Sequence, residues 1–147
     1  MTDVHADPQT PQPGLEPGPP KKLRVAAVGD LHVGEAAVKT FVQEAVDDAN
    51  HIENSIRMLR TERSVVLLHY SPVVDTVMGE PPEIHAFLGS SRLGETIDRY
   101  DNISLVVHGH AHRGQPEGRT NKGTPVYNVA LPVLRALGDT PYRVFQV

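Results

Sequence analysis

The chain has 147 residues, a net charge of −4 and no cysteine. This length allows one domain with a sizeable core, and the charge argues against the basic field that nucleic-acid binding uses. The absence of cysteine excludes disulfides and thiolate metal ligands, so a metal ion would need histidine or oxygen ligands. No apolar run approaches the roughly 18 residues of a membrane span, and no secretion signal is present, so we expect a soluble cytoplasmic protein without a membrane partner.

The first 20 residues contain six of the thirteen prolines and few large apolar side chains. Such a segment cannot bury enough surface to offset the entropy that it would lose on ordering. We therefore predict a disordered, proline-rich tail over residues 1–20 and one folded domain over residues 21–147.

Short apolar runs predict five strands. Leu23–Val28, Val65–Leu68 and Ile103–Val107 are continuous runs of the kind that buried parallel strands show. Pro125–Ala130 and Tyr142–Val147 indicate two further strands. Each of the first three runs is followed closely by histidine or aspartate, which draws attention to the strand ends.

A long helix is predicted between the first two strands, over about residues 36–60. Its apolar residues recur at alternating steps of four and three, which gives one continuous stripe. The stripe consists of Val38, Val42, Ala45, Ala49, Ile52, Ile56 and Leu59. A dimeric coiled coil would have the same stripe, but the flanking strands favour packing against a sheet. With a second helix over about residues 91–100, the alternation predicts a layered α/β domain with a mainly parallel sheet.

Five residues with side chains that can bind a metal ion follow the first three strands. They are Asp30, His32, His69, His110 and His112. In open α/β sheets, ligands bind beyond the carboxyl ends of the strands, so we expect these side chains to lie close together. Three histidines in the five residues 108–112 are uncommon outside tags and metal sites, although the first of them ends a strand and fits the wall of the core. The set predicts a metal site.

The segments Gly29–His32, His69–Pro72 and Gly109–His112 resemble the motifs of the calcineurin-like metallophosphoesterases in order and strand context. The resemblance extends over about residues 23–134. It implies a layered α/β/β/α sandwich in which a water activated by two metal ions attacks the phosphorus of a phosphate ester. Manganese, iron or zinc would suit such nitrogen and oxygen ligands. The resemblance implies that the first metal binds Asp30, His32 and His112, and that the second binds His69 and His110.

Two family motifs that would lie between Asp30 and His69 have no counterpart in the chain: the aspartate that bridges the metals, and the Gly-Asn-His segment. We expect that two βα units are missing at about residues 34–36, so that the sandwich is truncated. The segment Asn50–Glu53 resembles the asparagine motif only superficially, because it lies within the predicted helix. There His51 points away from the apolar stripe, towards solvent, and Asp48 is also on or near the polar side.

These departures leave alternatives to an active phosphoesterase open. One is a catalytically impaired remnant that binds one metal ion or none. Another is an interaction module based on the helix stripe and the proline-rich tail.

Three further residues are candidates for supporting roles. Arg113 and Arg92 have planar guanidinium groups that suit the oxygens of a substrate phosphate, although a solvated arginine is the ordinary alternative. Asn128 lies within the predicted strand Pro125–Ala130 and is a candidate to support the histidines from behind, by a hydrogen bond; an ordinary hydrogen-bonded strand residue is the alternative.

Overall fold

The computed structural model describes residues 24–27, 41–138 and 140–147. In chain order the elements are β1 (Arg24–Ala27), α1 (Phe41–Met58), β2 (Ser64–Leu67), α2 (His85–Leu88), α3 (Ser91–Ile97), β3 (Ile103–His108), β4 (Glu117–Arg119), β5 (Pro125–Asn128), α4 (Leu131–Leu137) and β6 (Arg143–Gln146). Single 3₁₀ turns at Asp75–Val77 and Pro82–Ile84 lie between β2 and α2. The predicted tail, Asp30, His32 and the expected gap near residues 34–36 lie outside the described residues.

Four strands form one mixed sheet in the order β2-β3-β5-β4. β3 runs parallel to both β2 and β5, whereas β4 runs antiparallel to β5. The three predicted strands that begin at about Val65, Ile103 and Pro125 all belong to this sheet, with ends within two residues of the prediction. The mixed α/β fold class is therefore confirmed.

The first predicted strand does not lie in this sheet. β1 pairs antiparallel with β6, with Val25 opposite Phe145, in a separate two-stranded sheet. The prediction of a buried parallel strand at Leu23–Val28 is therefore wrong in its pairing. A short apolar run is compatible with either strand direction, so it does not specify the partner.

The long helix packs on one face of the four-stranded sheet, as its stripe predicts. A core cluster on this face contains Ile56 of α1, Ile97 of α3 and, from the sheet, Val66, Ile103, Val106 and Val126. The helix ends at Met58, earlier than predicted, and Leu59 is 47% exposed. The last residue of the predicted stripe therefore takes no part in this packing.

The opposite face of the sheet is covered by β6 and α4. Leu105 and Val107 of β3 pack there with Leu134 of α4 and Phe145 of β6. Because successive side chains of a strand point to opposite faces, the neighbours Val106 and Val107 contribute to the two different clusters. Both faces of β3 are therefore packed in the core. This packing holds the end of the strand in place, and the segment Gly109–His112 follows directly from it.

Three elements lacked a prediction: α2, β4 and α4. β4 contains only Glu, Gly and Arg, so its sequence has no apolar alternation.

The predicted second helix is α3, which ends three residues earlier than predicted. Ser90 caps its start, because the Ser90 hydroxyl accepts a hydrogen bond from the backbone N of Arg92 (3.3 Å). None of the helices in the described part of the chain could span a bilayer.

Candidate functional site

Two of the predicted metal ligands, His69 and His110, lie side by side. Their ring centroids are 4.5 Å apart, with the ring planes tilted by 39°. His69 follows the end of β2 and His110 follows the end of β3, and these strands are parallel neighbours. The carboxyl ends of parallel neighbours lie at the same edge of a sheet, and this shared edge brings the two imidazoles together.

Tyr70 contacts both imidazoles. Its ring lies 4.7 Å from that of His69 and 5.2 Å from that of His110, centroid to centroid, with interplanar angles of 81° and 90°. Edge-to-face arrangements of this kind are favourable because the positive ring edge meets the negative ring face. The Tyr70 ring thus stabilises the positions of both histidines.

The backbone of His110 is in the left-handed region, at φ +68°. It is the one residue other than glycine with positive φ in the described part of the chain. This conformation costs an L-residue with a Cβ on the order of 1–2 kcal/mol, so the surrounding structure must hold it. Strained residues of this kind occur preferentially at ligand sites, which makes His110 the most informative member of the pair.

Asn128 holds the segment that carries the histidines. Its Nδ2 donates to the carbonyl oxygen of Ala111 (2.7 Å), which lies between His110 and His112, and its Oδ1 accepts from the backbone N of Ala130 (3.1 Å). Asn128 is fully buried. It therefore supports the backbone between the two histidines rather than an imidazole ring directly. His112 itself is half-buried in the turn that follows.

His108 lies in the wall of the core, as its place at a strand end indicates. It is fully buried, and its Nδ1 donates to the carbonyl oxygen of Gly109 (2.8 Å). Burial lowers the pKa of His108 to about 4; the bond to Gly109 partly opposes this, and charge on His110 or His69 lowers the pKa further. The ring is therefore neutral near pH 7 and serves as a structural group.

A chain of buried hydroxyl groups reaches His108 from the loop after β2. Thr76 Oγ1 lies 2.7 Å from His108 Nε2 and 2.6 Å from Ser71 Oγ, and all three residues are buried. With the ring neutral and Nδ1 protonated, Nε2 accepts from the hydroxyl of Thr76, and Ser71 Oγ also bonds the Val73 carbonyl oxygen as donor (2.7 Å). The segment after β2 is thereby tied to the end of β3, two residues before His110.

Backbone contacts join the same two segments at the surface. The backbone N of Arg113 donates to Glu80 Oε1 (2.6 Å). A Cβ on Gly114 would overlap the carbonyl oxygen of Thr76, so only glycine permits this approach. Arg113 and Arg92, the predicted phosphate-binding residues, are both exposed, Arg113 beside the histidine segment and Arg92 in the first turn of α3.

The structure brings together part of the predicted ligand set. Asp30 and His32 lie outside the described residues. Within residues 24–27, 41–138 and 140–147, no three histidine, aspartate or glutamate side chains form a group that could hold a metal ion. The described part of the predicted site is therefore the pair His69 and His110, with His112 in the turn that follows.

The sequence interpretation missed a cleft beside the histidine pair. A cleft of about 230 Å³ lies between α1 and the end of β2, and its lining includes Asp48 and His51 of α1 together with His69 and Tyr70. His51 is exposed, as predicted, but it faces this cleft. The i, i+3 spacing of Asp48 and His51 places both on one side of the helix. This spacing is the feature of the sequence that could have indicated a polar surface beside the histidines.

Comparison of the chain with models of protein families, with curated proteins and with solved structures gave no match.

Proposed function

We propose that the protein is a metal-dependent phosphoesterase that hydrolyses a phosphate ester with the help of divalent ions held at the carboxyl edge of β2 and β3. The observation that carries this proposal is the convergence of His69 and His110, whose ring centroids are 4.5 Å apart. The order of the three motifs along the chain is the second support, because it agrees with the calcineurin-like metallophosphoesterases.

The side chains present fit such an ion in their chemistry. Two adjacent imidazoles supply nitrogen ligands, which manganese, iron and zinc accept. By the resemblance, His69 and His110 would hold one ion, and Asp30, His32 and His112 the other. Bound divalent ions would polarise a phosphoryl oxygen and provide a hydroxide nucleophile near neutral pH.

The remaining steps depend on residues of the chain. Hydrolysis joins the oxygen of water to phosphorus and breaks the ester P–O bond. The alkoxide that leaves takes up a proton, which the attacking water supplies overall, and becomes the alcohol. Arg113 is exposed beside His112 and has a guanidinium group that suits a phosphoryl oxygen. Asn128 holds the backbone between His110 and His112, and Tyr70 contacts the rings of His69 and His110, so that less ordering is needed when the substrate binds.

The resemblance also suggests that the two sheets form an α/β/β/α sandwich. The packing of Phe145 of β6 against Leu105 and Val107 of β3, on the face opposite α1 and α3, supports this arrangement. In such a sandwich the truncation would remove strands beside β2, which is the last strand of the described sheet on that side.

A second candidate is a remnant that binds one metal ion or none. The finding that favours it is the absence, within the described residues, of any three side chains grouped to hold an ion. The interaction module has less support, because Ala49 and Ile56 of the helix stripe are buried and Ile56 packs in the core.

The test is elemental analysis of the purified full chain together with hydrolysis of a generic phosphomonoester and phosphodiester after loading with Mn²⁺ or Zn²⁺. We expect bound metal and metal-dependent hydrolysis, both lost in His110→Ala and His112→Ala. The control is His85→Ala, which removes an imidazole that lies in α2 and is not one of the predicted ligands. Metal without turnover would favour the remnant, and hydrolysis that survives both site substitutions would refute the site.

A further inference from the structure

A cleft between α1 and the end of β2 opens beside the histidine pair. We propose that this cleft binds the alcohol portion of the phosphate ester and that it favours a small, uncharged alcohol with an aromatic ring or a short branched chain. The inference rests on the proposed function, because it assigns the part of the substrate that lies next to the phosphate.

The cleft and the histidine pair share a residue. His69 contacts His110 on one side and lines the cleft together with Tyr70. A phosphate held at the pair therefore has its ester oxygen within reach of the cleft.

Much of the lining of the cleft is apolar. Ile52, Leu67, Leu68 and Leu93 contribute to it, in addition to Tyr70. Leu93 is buried, whereas Leu67 is 69% exposed at the rim. A large aliphatic side chain this exposed at the end of a strand gains stability when a ligand covers it, and an aromatic ring can add an edge-to-face contact with Tyr70.

The size of the cleft limits the ligand. Its volume of about 230 Å³ is below the roughly 300–1,000 Å³ typical of sites for drug-sized molecules. A single ring or a chain of a few carbons fills this space, so we infer that the part of the alcohol bound in the cleft is small.

The polar side of the cleft sets the charge of the ligand. Asp48 and His51 lie one helical turn apart on α1 and both line the cleft. The carboxylate of Asp48 repels a second anionic group, so an alcohol that carries a further phosphate or carboxylate is disfavoured. The imidazole of His51 offers a hydrogen bond to an uncharged polar substituent.

The test compares benzyl phosphate with ethyl phosphate on the metal-loaded full chain. Both release alkoxide leaving groups of similar basicity, so a difference in kcat/KM reports contacts with the alcohol portion. We expect about tenfold higher kcat/KM for benzyl phosphate, since covering on the order of 50 Å² of apolar surface changes binding by about that factor. Equal values for the two esters would overturn the proposal.

Two variants locate the effect. Leu67→Thr keeps a strand-forming side chain but removes apolar surface from the rim, and His51→Trp fills the cleft; both should bring the ratio of the two esters close to one. Val144→Thr is the matched control, because Val144 is 48% exposed in β6 and does not line the cleft. A ratio that is unchanged in both cleft variants would place the preference elsewhere and refute the proposal.

The cleft can also be tested without catalysis. If neither these two monoesters nor the generic phosphodiester is hydrolysed, the proposed function fails. Binding of benzyl alcohol to the metal-free chain then tests the cleft alone. We expect shifts of backbone amide resonances in nuclear magnetic resonance spectra near Ile52, Leu67 and Tyr70, reduced in Leu67→Thr. The absence of shifts at these residues, at millimolar benzyl alcohol, would overturn the inference.

Discussion

Thr76 and His108, which are 32 residues apart in the chain, share a buried hydrogen bond of 2.7 Å between Oγ1 and Nε2. This bond joins the loop after β2 to the end of β3, directly below the segment that carries His110. The cross-strand neighbour of His108 in the sheet is Asn128, which bonds the same segment from β5. The candidate site therefore sits on a buried polar layer that connects three parallel strands.

This hydrogen bond leads to a prediction for Thr76. Thr76→Val has nearly the same shape but leaves the buried Nε2 of His108 without its partner, so we expect a loss of about 2 kcal/mol in the free energy of unfolding. Thr76→Ser retains the hydroxyl and should lose clearly less. Urea denaturation of the two variants measures the difference. If Thr76→Ser loses as much stability as Thr76→Val, the hydrogen bond of the hydroxyl to His108 is not the source of the stability.

The buried imidazole of His108 predicts a dependence of stability on pH. Burial lowers its pKa to about 4 in the folded chain, from 6.5 in the unfolded chain, so the unfolded chain binds more protons between these values. The stabilising contribution is fully present above about pH 6.5, decreases as the pH falls and is lost near pH 4. Its size is on the order of 3 kcal/mol. The free energy of unfolding from urea titrations at pH 7, 6, 5 and 4 measures it.

The control for this prediction is His108→Asn, which removes the titrating group from the same buried position. The variant should be less stable at pH 7, and the difference between the two proteins should shrink as the pH falls from 6.5 to 4. A constant difference over this range would show that His108 does not titrate with a lowered pKa.

Much of the sheet was predictable from local sequence because its strands are continuous apolar runs. The segments at about Val65 and Ile103 need no information beyond their composition, and the histidines that follow them converge as strand direction requires. The alternating steps of the α1 stripe likewise predicted its packing through Ile56. In each case, the sequence pattern that predicts the element lies within the element itself or a few residues from it.

The parts that could not be predicted depend on contacts between distant segments. The partner of β1 is β6, and no feature of either strand specifies that pairing. The hydroxyl of Thr76 and the missing side chain of Gly114 matter only because two loops meet in the fold. The left-handed conformation of His110 similarly depends on its surroundings, because even histidine, which is enriched there among residues with a Cβ, adopts it in only a minority of positions.

The contact of Gly114 with Thr76 predicts that a single methyl group disrupts the loop below the site. Gly114→Ala places a Cβ on top of the Thr76 carbonyl oxygen, so the two segments must separate, and we expect a loss of more than about 2 kcal/mol. Gly138→Ala is the matched control, because its added Cβ would meet no atom within 4 Å. Thermal unfolding of both variants provides the measurement. Similar melting temperatures for the two would mean that the segments are not in close contact in solution.

The left-handed backbone of His110 predicts that function and stability oppose each other at this residue. His110→Ala and His110→Gly both remove the imidazole and its contacts with His69 and Tyr70, so both should lose bound metal. Only glycine adopts φ +68° without strain, so His110→Gly should be more stable than His110→Ala by about 1 kcal/mol in metal-free protein.

The same pair of substitutions at His69, which lacks a positive φ, should show the reverse order, because glycine there only increases the entropy of the unfolded chain. Urea denaturation of the four variants in the presence of a chelator measures both orders. If alanine is the more stable substitution at both positions, His110 is not held in a left-handed conformation, and the strain that we associate with ligand binding is absent.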